Sequence, residues 1–184
     1  LLNLPDQYFG EGIAVVGEHI IQLTWKENTG FVYDLATFNL LGTFSYPTEG
    51  WGLTYNGQHL IMSDGSSTLT YLDPHTFEPV RQLTVQSISG PVKNLNELEY
   101  IDGVIYANIW LTDQIALIDP ETGFVRGWID LSGLRSYLAE HFGAQILQRI
   151  DVLNGIAYHP ETGHLLVTGK LWPLIFAIEV GEQP

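Results

Sequence analysis

Trp51-Gly52-Leu53-Thr54-Tyr55, then Gly57, then His59 to Asp64, then Leu69 to Asp73: this plan occurs four times along the chain with different letters. The first copy reads Glu11-Gly12-Ile13-Ala14-Val15, Gly17, an apolar stretch to Trp25, and Phe31-Val32-Tyr33-Asp34. The third reads Asn96-Glu97-Leu98-Glu99-Tyr100, Gly103, Val104 to Trp110, and Ile115 to Asp119. The fourth reads Asn154-Gly155-Ile156-Ala157-Tyr158, Gly163, His164 to Lys170, and Leu174 to Glu179. Corresponding residues Ile13, Leu53, Leu98 and Ile156 are 40, 45 and 58 positions apart. The last interval is long because Ser132 to Gln148 is inserted, where Leu134, Tyr137, Leu138 and Phe142 recur at helical spacing and predict one short helix.

Each unit begins as strand, tight turn, strand, turn, strand. A shared turn then follows: Asp73-Pro74-His75-Thr76-Phe77, Asp119-Pro120-Glu121-Thr122-Gly123 and Asp34-Leu35-Ala36-Thr37-Phe38. Aspartate can bond the backbone two residues on, and proline presets the next φ. Asn39 to Phe44, Pro79 to Val85 and Phe124 to Leu131 supply a fourth strand. Units of about 40–45 residues with four strands are the mark of a β-propeller, whose sheets cannot bury both faces alone and so pack radially. The fold expected is all-β, one propeller domain over residues 1–184, with about four blades and the inserted helix within 132–148.

Composition fits. Charged residues are 15% of the chain, aromatics 12%, with 19 glycines and 9 prolines, which suits short strands and tight turns. Seven basic against 21 acidic residues give a net charge of -14, a surface that repels phosphate backbones and argues against nucleic-acid binding. There are no cysteines, so disulfide and thiolate chemistry are excluded. No apolar run reaches the roughly 18 residues of a membrane span. Leu1 to Asp6 carry no basic segment of a signal peptide, and the chain opens mid-pattern without methionine. An N-terminally incomplete propeller is therefore expected.

In a radial arrangement the first strand of each blade lines the central channel. Residues heading those strands (Glu11, Trp51, Asn96, Asn154) and ending the second strands (Trp25, Asp64, Trp110, Lys170) should converge at one mouth. An aromatic and amide-rich set with one lysine is the composition of a pocket. Trp51 is flanked by Gly50 and Gly52, which open space around it. Trp128, within Gly127-Trp128-Ile129-Asp130, is read as a core residue, the commoner place for tryptophan in a β protein. Asn96 and Asn154 could equally satisfy turn backbone, and Lys170 could be a surface lysine. No G-x-S-x-G elbow or three-glycine dinucleotide loop is present, and the six histidines lack metal-site spacing. His19 and His59 occupy matching repeat positions and are read as structural.

Seven motifs go further. Thr24-Trp25-Lys26-Glu27, Gly50-Trp51-Gly52-Leu53-Thr54, Met62-Ser63-Asp64-Gly65 and Asn94-Leu95-Asn96-Glu97-Leu98-Glu99-Tyr100 run in order along the chain. Asn108-Ile109-Trp110, Leu153-Asn154-Gly155-Ile156-Ala157 and Thr168-Gly169-Lys170 with Trp172-Pro173 complete the set. Together they resemble the plant and bacterial glutamine cyclotransferases across nearly the whole chain. The resemblance implies a five-bladed propeller, secreted or periplasmic, that needs no cofactor or metal. Its substrate would be a peptide or protein with an N-terminal glutamine, closed into pyroglutamate with release of ammonia. It implies Trp25, Trp51, Asn96, Trp110 and Lys170 as site residues, the tryptophans as walls; the reaction then makes Asn96 and Lys170 the candidate donors to the carboxamide oxygen, while Glu11 and Asn154 are read as substrate-binding from their place at the strand heads. It also implies an upstream blade with an F-T-Q-G-L motif and a Y-E-S-T-G-like motif, the latter supplying the proton-shuttling glutamate. Neither occurs here, so open edges and self-association through the incomplete blade are expected. Two rivals stand beside this reading. One is a non-catalytic propeller binding peptide or sugar at the same mouth. The other is a propeller lactonase, for which the mouth is too rich in tryptophan and lacks a carboxylate cage for calcium.

Overall fold

Four antiparallel sheets follow one another along the chain in the computed structural model, which describes residues 3–180. The first blade is β1 (Gly10–Val16), β2 (His19–Thr24), β3 (Thr29–Asp34) and β4 (Leu40–Ser45), paired in that order. The second is β5 (Leu53–Tyr55), β6 (Leu60–Ser63), β7 (Thr68–Leu72) and β8 (Pro79–Thr84). A hairpin that the repeat did not announce, β9 (Gln86–Ser87) and β10 (Gly90–Pro91), leads to the third blade. That blade is β11 (Leu95–Ile101), β12 (Val104–Ile109), β13 (Gln114–Ile118) and β14 (Val125–Asp130). The insertion forms α1 (Ser132–Phe142) and a 3₁₀ turn (Ala144–Gln148), broken at Gly143 where φ is 85°. The fourth blade shows three strands among the described residues: β15 (Leu153–His159), β16 (His164–Gly169) and β17 (Phe176–Ile178).

Local chemistry explains the strand ends. In three blades the aspartate at the end of the third strand turns the chain as its sequence suggests. Asp34 Oδ1 accepts the Thr37 N–H at 2.8 Å; Asp73 Oδ1 accepts from His75 and Thr76 at 2.9 and 2.8 Å; Asp119 Oδ1 accepts from Glu121 and Thr122 at 2.8 and 2.9 Å. All three carboxyls are held below their ordinary range: Asp34 first by the Thr37 hydroxyl, which donates to the same oxygen, and then by the Thr37 N–H; Asp73 by its two backbone bonds; and Asp119 by its Thr122 bond together with Arg126.

The core lies between blades. Ile21, Leu23, Leu53, Leu60 and Leu72 pack between the first and second; Ile61, Leu69, Leu98, Ile105 and Ile118 between the second and third. Ile115, Leu153, Leu165 and Val167 join the third to the fourth. Each such side chain contributes roughly 1.5–3 kcal/mol by leaving water. Trp128, expected inside, is instead 44% exposed on β14, the outermost strand of its blade.

The inner strands β1, β5, β11 and β15 stand side by side in that order. At their first residues the backbones nearly touch. Gly12 N–H donates to Trp51 O at 2.7 Å, linking the first two blades. Ser63 Oγ donates to Asn96 O at 2.6 Å and accepts from Gly52 N at 2.8 Å, linking the next two. A Cβ on Gly52 would lie 2.1 Å from Asn96 O, and one on Gly12 2.6 Å from Leu53 N. Only a residue without Cβ fits where backbone meets backbone. Gly52→Ala is therefore expected to cost about 3 kcal/mol in urea unfolding, the upper end of overpacking penalties, because the obstacle cannot rotate away. Gly42→Ala on β4, where a Cβ meets nothing within 4 Å, should stay within about 0.5 kcal/mol of the unmodified chain.

Candidate functional site

The register of the inner strands shifts at one place in three blades: between Gly10 and Ile13, between Leu95 and Leu98, and between Leu153 and Ile156. A bulge re-aims the side chains inside it. The residues caught there are Glu11-Gly12, Asn96-Glu97 and Asn154-Gly155. In the second blade Trp51-Gly52 precedes β5 at the corresponding position. The second strands end in an equally regular way. Trp25 N–H donates to Phe9 O, Trp110 N–H to Asn94 O and Lys170 N–H to Val152 O, each at 2.9 Å. One backbone bond, repeated around the ring, carries all three side chains to the same level.

They meet in a cavity of about 150 Å³ lined by Phe9, Glu11, Trp25, Trp51, Asn96, Trp110 and Lys170. Trp51 and Trp110 meet edge to face with ring centres 5.4 Å apart, and Phe9 meets Trp25 at 6.0 Å. Gly65, at φ 80°, leaves room for the Trp51 ring, which a Cβ there would meet at 2.7 Å. Leu111 and Leu171, the residues after Trp110 and Lys170, take left-handed φ of 69° and 62° and are exposed. Such strain costs on the order of 1 kcal/mol or more, and it tends to gather at working sites. Wider grooves lie elsewhere, one of about 840 Å³ along β14 and β17 with Tyr106, Arg126, Trp128, Asp130 and Glu179 in its lining, but no residue from a strand head or second-strand end enters that one.

Glu11 is half-buried, and desolvation raises its carboxyl above the ordinary value while the Lys170 ammonium pulls the other way. Asn96 is 5% exposed, and its Oδ1 has no hydrogen-bond partner. Beside it Glu97 is partly buried between blades, where Oε2 accepts the Ile156 N–H at 2.8 Å. Burial pushes its carboxyl well above the ordinary value, and neighbouring Glu99 adds to this.

Six of the residues read from the strand heads and ends thus line one cavity. Asn154 and Asp64 do not. Asn154 Oδ1 accepts the Glu97 N–H at 3.4 Å across the blade boundary, and Asp64 Oδ1 caps the turn at Ser66 N at 3.0 Å. Phe9 was missed, although it lies two residues before Glu11 and strand alternation returns every second side chain to one face.

An all-β propeller with a small aromatic cavity, furnished with a carboxylate, an amide and an ammonium, is the class these features define. The chain belongs to the glutamine cyclotransferase family, whose model matches residues 2–180. It is 42% identical over 185 aligned positions to a glutaminyl-peptide cyclotransferase of Arabidopsis thaliana, covering 99% of this chain. The chain spans 56% of that relative's length. It superposes on the crystal structure of Myxococcus xanthus glutaminyl cyclase with a TM-score of 0.85 and 42% identity, covering 92% of this chain and 72% of that one. The WD40 β-propeller domain of Doa1 matches at a TM-score of 0.56 and 13% identity, over 94% of this chain and 51% of that one, a likeness of fold alone.

Two titrations test the electrostatics. Lys170→Met removes the ammonium that lowers the Glu11 carboxyl, so the Glu11 pKa followed by NMR should rise further; no change would place Lys170 out of its reach. The raised Glu97 means the folded chain holds this proton more tightly than the unfolded one. The stability it contributes is present below the unfolded carboxyl pKa of about 4.3 and lost as pH rises toward the folded value. Glu97→Gln should therefore leave Tm nearly unchanged at pH 4 and raise it at pH 8.

Proposed function

We propose that this propeller cyclises the N-terminal glutamine of peptides or proteins to pyroglutamate, releasing ammonia. The observation that carries the reading is the cavity itself: a carboxylate, an ammonium and a buried amide converge among three tryptophans in about 150 Å³. That is below the roughly 300–1,000 Å³ of sites for larger ligands, a size for one side chain and its terminal amine. Membership of the glutamine cyclotransferase family supports the same chemistry.

The substrate supplies both reacting groups, so the site has to hold the folded rotamer with the α-amine over the side-chain carboxamide carbon. Flat indole walls suit a short amphipathic side chain. With an α-amino pKa near 7.7–8.0, roughly a tenth to a sixth of the amine is neutral at pH 7, and desolvation raises that share. Attack forms the ring C–N bond and puts charge on the carboxamide oxygen, which Lys170 and the Asn96 amide stabilise as donors. The amine's proton passes to a carboxylate and then to the departing nitrogen, which leaves as ammonia when the C–N bond breaks. Family resemblance assigned that carboxylate to an upstream glutamate. Glu11 is the better candidate: it lines the cavity with Lys170, and its raised carboxyl is nearer to neutrality, where one group can both take and return a proton. Secretion belongs to this reading through the family resemblance. Self-association draws support from Ile13 and Val15, 57% and 52% exposed on β1.

Ammonia release from a glutaminyl peptide, measured with chelator present, tests the reading. Lys170→Ala should lower kcat by roughly 100-fold with little change in KM, the size of a lost oxyanion donor. Trp51→Ala should mainly raise KM, since a flat wall holds substrate and transition state alike. Glu11→Gln should abolish most turnover while leaving peptide binding by calorimetry intact. Binding without any turnover by the unmodified chain would instead favour a non-catalytic peptide-binding propeller.

A further inference from the structure

Trp25 and Trp51 reach the cavity from different blades, and the repeat fixes their backbones but not their ring planes. Their indole N–H groups nevertheless converge on one atom. Glu49 Oε2 accepts from Trp25 Nε1 at 2.7 Å and from Trp51 Nε1 at 2.9 Å. Glu49 lies in the connection from β4 to β5, just before Gly50, whose N–H donates to Trp25 O at 2.9 Å and ties that connection to the first blade. A Cβ on Gly50 would lie 2.7 Å from Thr24 O, so the carboxylate is carried on backbone with little freedom to shift. The other sides of Trp25 are also occupied: Lys26 Nζ stands 3.8 Å from the ring centre, and Phe9 meets it edge-on. The Trp51 N–H, then that of Trp25 and the charge of Lys26, hold the Glu49 carboxyl below its ordinary value against slight desolvation. An indole N–H can only donate, and an ionised carboxylate is the strongest common acceptor, so the pair of bonds is directional as well as firm.

We propose that Glu49 is a positioning residue, a single carboxylate that clamps Trp25 and Trp51 and so sets the width and angle of the slot that grips the substrate. It does not itself line the cavity and acts through the two tryptophans that do. Its effect on turnover rests on the function proposed above, whereas the clamp itself does not.

The test combines two readouts. Near-ultraviolet circular dichroism and acrylamide quenching report on the indoles whatever the cavity accepts. Glu49→Ala should weaken the indole bands and increase quenching, with the far-ultraviolet spectrum unchanged. Kinetically it should raise KM for a glutaminyl peptide about tenfold, the scale of one lost charge-assisted hydrogen bond, with kcat changed less than about twofold. Glu49→Gln keeps a side-chain oxygen to accept from both indoles and should recover most of the near-ultraviolet signal. It serves equally if the alanine variant fails to fold. On a Trp25→Phe/Trp51→Phe background, where no indole N–H remains, Glu49→Ala should add nothing to KM. The clamp is overturned by unaltered indole spectra in Glu49→Ala, by Glu49→Gln behaving as badly as the alanine variant, or by an equal KM penalty on the double-phenylalanine background. If the unmodified chain turns over no glutaminyl peptide, the proposed function fails, and the spectroscopic comparison still decides the clamp.

Discussion

Backbone meets backbone at the inner ends of the blades, and the remaining architecture is arranged around that contact. Between the first two blades Gly12 N–H reaches Trp51 O at 2.7 Å; between the next two Ser63 bridges Gly52 N and Asn96 O. Between the third and fourth the approach is looser and is carried by side chains. Glu97 Oε2 accepts from Ile156 N at 2.8 Å, Glu99 Oε1 from Tyr158 N at 3.1 Å, and Asn108 Oδ1 from Gly155 N at 2.9 Å. Buried amides left without such partners would each cost about 1–3 kcal/mol. The bonds that join blades also fix the side chains next to them. Glu11, Trp51 and Asn96 are each adjacent to, or part of, an inter-blade contact, so structural stitching and site geometry are one feature.

Charge balance at the centre follows from the same crowding. A chain with three times as many acidic as basic residues brings Glu97 and Glu99 to its inner strands, where desolvation raises both carboxyls. Glu97 in its neutral form costs far less to bury than an ion would. The cavity differs because Lys170 enters it. Desolvation raises the Glu11 carboxyl, and the ammonium opposes that rise. A carboxylate and an ammonium sharing a small cavity with tryptophans form a site that can move a proton and steady an oxygen within one residue's length.

Rigidity is distributed along the cavity rim. The left-handed Leu111 and Leu171 turn the chain just after Trp110 and Lys170, which the repeated 2.9 Å bond ties to the residue just before the first strand. Trp25 is held by Phe9, Lys26 and Glu49 together. Preorganisation of this kind suits the cyclisation proposed above, in which both reacting groups sit on one substrate and the protein's contribution is to select a conformation and keep it.

The four-fold plan headed by Glu11, Trp51, Asn96 and Asn154 was enough to specify the propeller, its strand order and the aspartate turns, since these depend on short-range alternation and on side chains bonding their own backbone. It also placed six residues at one mouth, because equivalent repeat positions reach equivalent places in a ring. Sequence could not say that Trp128 would stay exposed, as its periodicity is the same whether or not a sheet covers that face. Nor could it separate Asn154 from Asn96: both head an inner strand, but Asn154 spends its oxygen on Glu97 N across the blade boundary, while Asn96 keeps Oδ1 unpaired. The Glu49 contact to two indoles was equally out of reach. Trp25 is 24 residues from Glu49, and only the docking of one blade on the next brings both N–H groups to one oxygen. Local pattern determined the blades, and packing between blades decided which side chains were left free for chemistry. Long-range hydrogen bonds have no period to read.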